Sequence, residues 1–97
     1  MEIRQTTRFE TWLSRLRDER AVARINIRIR RLSLGNPGDV KSVGSGVSEL
    51  RIDYGPGYRV YYMQQGGMLI ILLCGGDKRS QDRDVAVAKS LAAELKE

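Results

Sequence analysis

The chain has 97 residues, 41% hydrophobic and 30% charged, and a net charge of +5, which suits one modest core, leaves no room for a second and is too apolar for disorder. A single cysteine and no histidine exclude an internal disulfide and a zinc cluster, so no metal or other cofactor is expected. No apolar run approaches the roughly 20 residues of a membrane span and no signal-type segment opens the chain, so the expectation is a single cytoplasmic domain over 1–97, its basic charge serving solubility or a polyanionic partner.

In chain order, Glu2–Gln5 reads as an edge strand. Thr7-Arg8-Phe9-Glu10 has the S/T-x-x-E spacing of a capping box and predicts a helix start. Phe9, Trp12, Leu13 and Leu16 recur at three- and four-residue spacing, an apolar stripe that assigns Trp12 to the core rather than to stacking on a base. A junction at Asp18-Glu19 leads into a second helix running to about Leu34. Val22, Ile25, Ile29 and Leu32 form its buried seam, and Arg17, Arg20, Arg24, Arg28 and Arg31 a basic ridge on another side. The ridge reads equally as a solvated face, a ribosomal RNA contact or a seat for an acidic protein surface. Gly35-Asn36-Pro37-Gly38 ends the helix, with Gly suited to the left-handed cap and Pro unable to continue.

Beyond that breaker the period falls to two. Residues 39–43 alternate weakly, and Gly44-Ser45-Gly46 turns the chain. In 47–54, Leu50, Ile52 and Tyr54 share one face, while Glu49, Arg51 and Asp53 share the other, polar one. Gly55-Pro56-Gly57 is a turn. In 58–64, Tyr58, Val60 and Tyr62 oppose Arg59, Tyr61 and Met63. Residues 68–74 are apolar at every position, as in a central strand buried on both faces. The short turns require antiparallel neighbours. After the polar loop 75–79, Ser80 is placed to cap a last helix with the stripe Ala88, Leu91, Ala92 and Leu95. The order β-α-α-β-β-β-α predicts an α+β fold, an N-terminal helical hairpin and a C-terminal helix packed on a small, mainly antiparallel sheet.

Three strings in order, VSELRI (47–52), GPGYRVY (55–61) and LLCGGDK (72–78), lie within GNPGDVKSVGSGVSELRIDYGPGYRVYY (35–62) and ILLCGGDKRSQDRDV (71–85). With the element order, they resemble the RelE/ParE superfamily of toxins, most closely its HigB-like branch of addiction-module killer proteins. The resemblance covers nearly the whole chain. It implies the toxin of a type II toxin–antitoxin system, a metal-independent endoribonuclease that cuts messenger RNA on the ribosome. It further implies a cognate antitoxin, commonly of helix-turn-helix type, and contact with operator DNA only through that antitoxin. The superfamily also contains gyrase inhibitors that act by binding without catalysis, and that alternative stays open, as does a non-toxic repressor.

Such cleavage requires a base for the 2′-OH proton, cations for the charge growing on the phosphoryl oxygens, and an acid for the leaving 5′-oxygen. Arginine suits the second task, because its planar fork holds two phosphate oxygens and keeps its charge. The resemblance gives Arg59 the role of the G-Y-R arginine that contacts the scissile phosphate, and Arg51 that of a basic residue on the preceding strand. Lys78 stands in the loop where the family concentrates catalytic groups, as an acid or a second phosphate contact. Each also reads as an ordinary surface charge, with Arg51 paired to Glu49 or Asp53 and Lys78 to Asp77 or Asp82. Lys41, Arg79 and Arg83 are candidates for RNA backbone contact, and Tyr61, on the face of Arg59, for base stacking. The chain departs from the family in lacking histidine, in carrying Asp53 where RelE has a second basic residue, and in offering only Arg83 near the position of a tyrosine in the last helix.

Overall fold

A computed structural model describes residues 1–96. The structure holds one strand more than the expected order, because the weakly alternating residues 39–43 contribute a full strand: β1 (Glu2–Gln5), α1 (Thr7–Arg15), α2 (Glu19–Ser33), β2 (Val40–Gly44), β3 (Val47–Ile52), β4 (Tyr58–Gln65), β5 (Leu69–Gly76) and α3 (Gln81–Leu95), with a 3-10 turn, Lys78–Ser80, before α3. The strands form one sheet in the order β1-β5-β4-β3-β2. β1 runs parallel to β5, and every other pairing is antiparallel. The α+β expectation is met. One placement differs: the apolar strand β5 lies second from the edge, and β4 is central. β5 is nonetheless apolar throughout because α1 packs over one of its faces and α3 over the other.

Two cores result. Phe9, Ile25, Leu32, Leu50, Ile52, Val60, Tyr62, Ile70 and Leu72 fill the layer under α1 and α2, with Trp12, Leu13, Leu16 and Ile29 packed against them. Val47, Tyr61, Met63, Leu73, Cys74, Ala88 and Ala92 fill the layer under α3. The helix stripes read from the sequence supply Phe9, Ile25, Leu32, Ala88 and Ala92, and the strands supply the other buried residues of the two cores. The α2 seam is completed by the fully buried Ala21, with Val22 only half-buried.

The helix ends correct three local expectations. Thr6, not Thr7, caps α1, accepting the Phe9 N–H at 3.0 Å. Its hydroxyl also donates to the Leu73 carbonyl, tying the cap to β5, so Glu10 falls outside any capping box. A capping box does form at the other end of the chain, between Asp77 and Ser80 around the 3-10 turn. Ser80 therefore gives α3 no side-chain cap of its own. α2 ends as expected: Gly35 takes φ +84°, its N–H donates to Leu32, and the Asn36 N–H donates to Arg31, the paired bonds of a Schellman motif.

The arginine ridge of α2 is interrupted. The Arg28 guanidinium folds inward and donates to the carbonyls of Arg51, Pro37 and Asp39, pinning the α2–β2 loop to the end of β3. Arg24 lies over the Tyr54 ring, 4.6 Å from its centroid, and Arg17 precedes the helix. The ridge therefore loses Arg28 to a structural role and Arg24 to an aromatic contact, while Arg17, Arg20 and Arg31 stay exposed charges.

At the far end of β5 the sheet carries a bulge. Tyr61 pairs with Cys74 and Tyr62 with Leu72, leaving Leu73 over. Leu73 and Cys74 both enter the core under α3. Gly75 and Gly76 follow, one beneath each layer: a Cβ on Gly75 would collide with the Trp12 ring, and one on Gly76 with the Asp84 carboxylate and the Ser80 hydroxyl. Gly75→Ala should therefore destabilise the protein by about 1–3 kcal/mol in urea unfolding, with a changed Trp12 fluorescence because the indole must lift. An unchanged midpoint and spectrum would contradict this packing.

Candidate functional site

In the β3–β4 hairpin Arg51 stands directly opposite Arg59, so alternation points both guanidinium groups to the α3 face of the sheet. Like charges directly opposite each other repel, and the sequence answers with Glu49, two residues before Arg51 on the same face. Glu49 is fully buried. Its Oε1 accepts from Arg51 Nε at 3.0 Å and from Arg59 Nη1 at 3.3 Å. Its Oε2 accepts from the Tyr61 hydroxyl at 3.0 Å and from the Gln81 amide at 2.8 Å. Gln81 opens α3, so the carboxylate also faces the positive end of that helix.

The electrostatics follow from these partners. Burial alone would raise the Glu49 pKa, but hydrogen bonds from Gln81, Arg51 and Tyr61, with the charge of Arg59, outweigh it and hold the carboxyl below its ordinary value. Burial and then the same carboxylate push the Tyr61 phenol far up, so it remains a donor. Tyr61 is completely buried. The expectation that its ring stacks on a base is corrected: the ring belongs to the core under α3, and the hydroxyl holds Glu49.

Arg51, Arg59 and Lys78 converge. All three line one cleft of about 340 Å³ at the end of the sheet, walled by Asp39, Ile52, Asp53 and the turn Gly55-Pro56-Gly57. Gly57 takes φ +81° in that turn and lies under the Lys78 side chain. The Arg51 side chain is 34% exposed and that of Arg59 only 12%. Arg59 Nε is buried without a partner, and its one hydrogen bond to a described residue is that to Glu49. Most of its five donors are unused within the protein, which is uncommon for a guanidinium so nearly buried. Two carboxylates, Asp39 and Asp53, share the cleft wall, so its cations face the opening alongside potential proton acceptors.

Of the remaining sequence candidates, Arg79 and Arg83 share with Lys78 a separate concavity of about 650 Å³ around the β5–α3 turn, and Lys41 lies apart. Arg79, whose N–H and guanidinium both bond Asp77, and Arg83 flank the other side of the β5–α3 turn. Lys41 sits on the outer strand β2, opposite Glu49 in register and exposed. Cys74 is buried and its thiol is pushed up to about 12, mainly by burial, which makes it a packing residue rather than a nucleophile. Sequence reading offered Glu49 only as one of two possible partners of Arg51, a pair the structure shows; it missed that the same buried carboxylate also holds Arg59, Tyr61 and Gln81. The available signal was a glutamate two positions from Arg51 on a strand whose partner carries Arg59, three charges forced onto one face. Among the described residues no group of histidine, cysteine and carboxylate side chains is arranged to hold a metal ion, and no helix is long and apolar enough to cross a membrane.

The five-stranded, mostly antiparallel sheet with its three helices defines a small α+β protein of RelE-like fold. Residues 11–96 match the model of a family described as phage-derived protein Gp49-like, and the chain belongs to that family. It is a family of toxins of the RelE and addiction-module type, which gives this protein a general toxin role and implies a cognate antitoxin as partner. The chain is also similar to an uncharacterized protein of Haemophilus influenzae, 58% identical over 95 residues that cover 98% of this chain and 96% of the relative.

Proposed function

We propose that this protein is a HigB-like toxin that cuts messenger RNA on the ribosome without a metal ion, acting in the cytoplasm as a single domain over 1–97. The observation that carries the reading is Arg59, nearly buried, tethered once to Glu49 and otherwise unspent, in a cleft shared with Arg51 and Lys78. In this reading the 2′-oxygen attacks the adjacent phosphorus. Its proton passes to Asp53 at the cleft wall. The bond to the 5′-oxygen breaks, leaving a 2′,3′-cyclic phosphate, and Lys78 protonates the departing oxygen. Arg59 and Arg51 hold the phosphoryl oxygens as their charge grows, the task for which preorganised cations in a partly dry site are strongest. The cognate antitoxin would be of helix-turn-helix type, and operator DNA would be reached only through it.

The test is induction of the toxin without an antitoxin, with transcript 5′ ends mapped across the cell. Cuts confined to translated regions are expected, and they should disappear when translation is blocked beforehand. Growth arrest with intact transcripts and damaged DNA would overturn this reading in favour of gyrase inhibition, and unimpaired growth would leave a non-toxic repressor.

A further inference from the structure

Across the β5–α3 turn from the cleft lies a second and larger concavity, about 1020 Å³ in volume, between α1 and the first turn of α3. Its walls combine two kinds of group. Trp12 and Tyr58 meet edge to face at 6.3 Å and are only half-buried, and Arg8, Arg15 and Arg83 are exposed around them. Among the described residues none of these three arginines forms an ion pair. On the floor, Gly75 and Gly76 let the Trp12 ring and the Asp84 carboxylate pack directly on the backbone, where any Cβ would displace them.

The groove adjoins the cleft. Both are lined by Pro56, and they are parted only by the turn on which Lys78 faces the cleft while Asp77 and Arg79 face the groove. A polymer bound in one is therefore led around the turn into the other. Unpaired arginines alone would suit any polyanion. An aromatic pair among them suits a chain whose anionic groups alternate with flat rings, that is, single-stranded nucleic acid.

Resting on the ribonuclease reading, we propose that this groove holds an unpaired nucleotide of the RNA next to the cleaved step. Its base packs against Trp12 and Tyr58, and the neighbouring phosphates reach Arg15 and Arg83. This gives the toxin an affinity for single-stranded RNA that is independent of the cleavage residues.

Trp12 is the sole tryptophan, so its fluorescence reports occupancy of the groove directly. The experiment titrates the purified protein with a 2′-O-methyl RNA octamer, which cannot be cleaved, at several salt concentrations, following Trp12 emission and the anisotropy of a labelled strand. Emission should fall on binding. Arg15→Ala and Arg83→Ala, both at exposed positions that leave the fold intact, should each weaken binding roughly 5-fold and lower the slope of log affinity against log salt by about 0.7. Arg59→Ala should still quench Trp12. Unaltered affinity and salt slope in both arginine variants would overturn the proposal. So would a synthetic glutamate-rich peptide that quenches Trp12 while the RNA does not, which would assign the groove to an acidic protein segment. Failure of the ribonuclease reading looks different: the octamer binds as described, but no cellular transcript is cut.

Discussion

Arg59→Ala should lower the rate of messenger RNA cleavage on programmed ribosomes by about 10²- to 10³-fold, the usual loss when one preorganised donor to a developing oxyanion is removed. The reason lies in how Arg59 is presented. Its side chain is only 12% exposed, so in the proposed chemistry its charge meets the phosphate with little intervening water, where electrostatic interactions are strongest. Arg59→Lys should recover only a minor part of the rate. An ammonium is a point charge without the planar fork and cannot hold Glu49 and two phosphate oxygens together. Arg51→Ala should cost less, because Arg51 is nearly three times as exposed. Single-turnover rates with thermal melts of each variant provide the check. A fully active Arg59→Ala protein would remove this residue, and with it the central premise of the proposed chemistry.

Glu49→Ala should have the largest effect on folding, about 3–5 kcal/mol, because it leaves two cross-strand arginines, a buried phenol and the Gln81 amide without the acceptor they share. Glu49→Gln keeps the shape but loses the charge and should cost less. The pH dependence has a definite sign. The Glu49 carboxyl is held below its ordinary value in the folded protein, so folding favours the ionised form. That stabilisation is complete above the unfolded glutamate value of about 4.3 and is lost as the pH falls through the lower folded value. Urea unfolding of wild type and Glu49→Gln should therefore show a stability gap that is constant near neutrality and closes on acidification below about pH 4. A gap independent of pH would mean that Glu49 acts by shape alone.

The two results together would separate the residues that act from the residue that positions them. Glu49 touches no substrate in this scheme. It neutralises one of two opposed arginines, fixes both guanidinium groups toward the cleft, and ties them to the start of α3.

Much of this was legible without coordinates. The helices follow from apolar spacing in 9–16 and 22–32, and the strands from alternation in 47–54 and 58–64. The short turns then force antiparallel pairing. Once β3 and β4 form a hairpin, alternation alone sets Arg51 and Arg59 on one face, because the side-chain period of a strand is two. The family resemblance likewise rested on short strings that survive in one dimension.

What the sequence could not decide depends on which surfaces the helices cover. Alternation separates the two faces of β3 but does not say that α3 closes over the second, so Glu49 and Tyr61 read as solvent-facing when both are buried. The period of α2 placed Arg28 in a basic ridge, yet three carbonyls from β3 and the preceding loop draw it inward, and no helical period encodes a partner from another element. Gly75 and Gly76 looked like a polar loop and are instead the end of β5, kept bare by Trp12 on one side and Asp84 on the other. Local periodicity determined the elements and the direction of the two arginines. Burial, and with it the partners of Glu49 and the unspent donors of Arg59, was decided only when α1 and α3 closed on opposite faces of the same sheet.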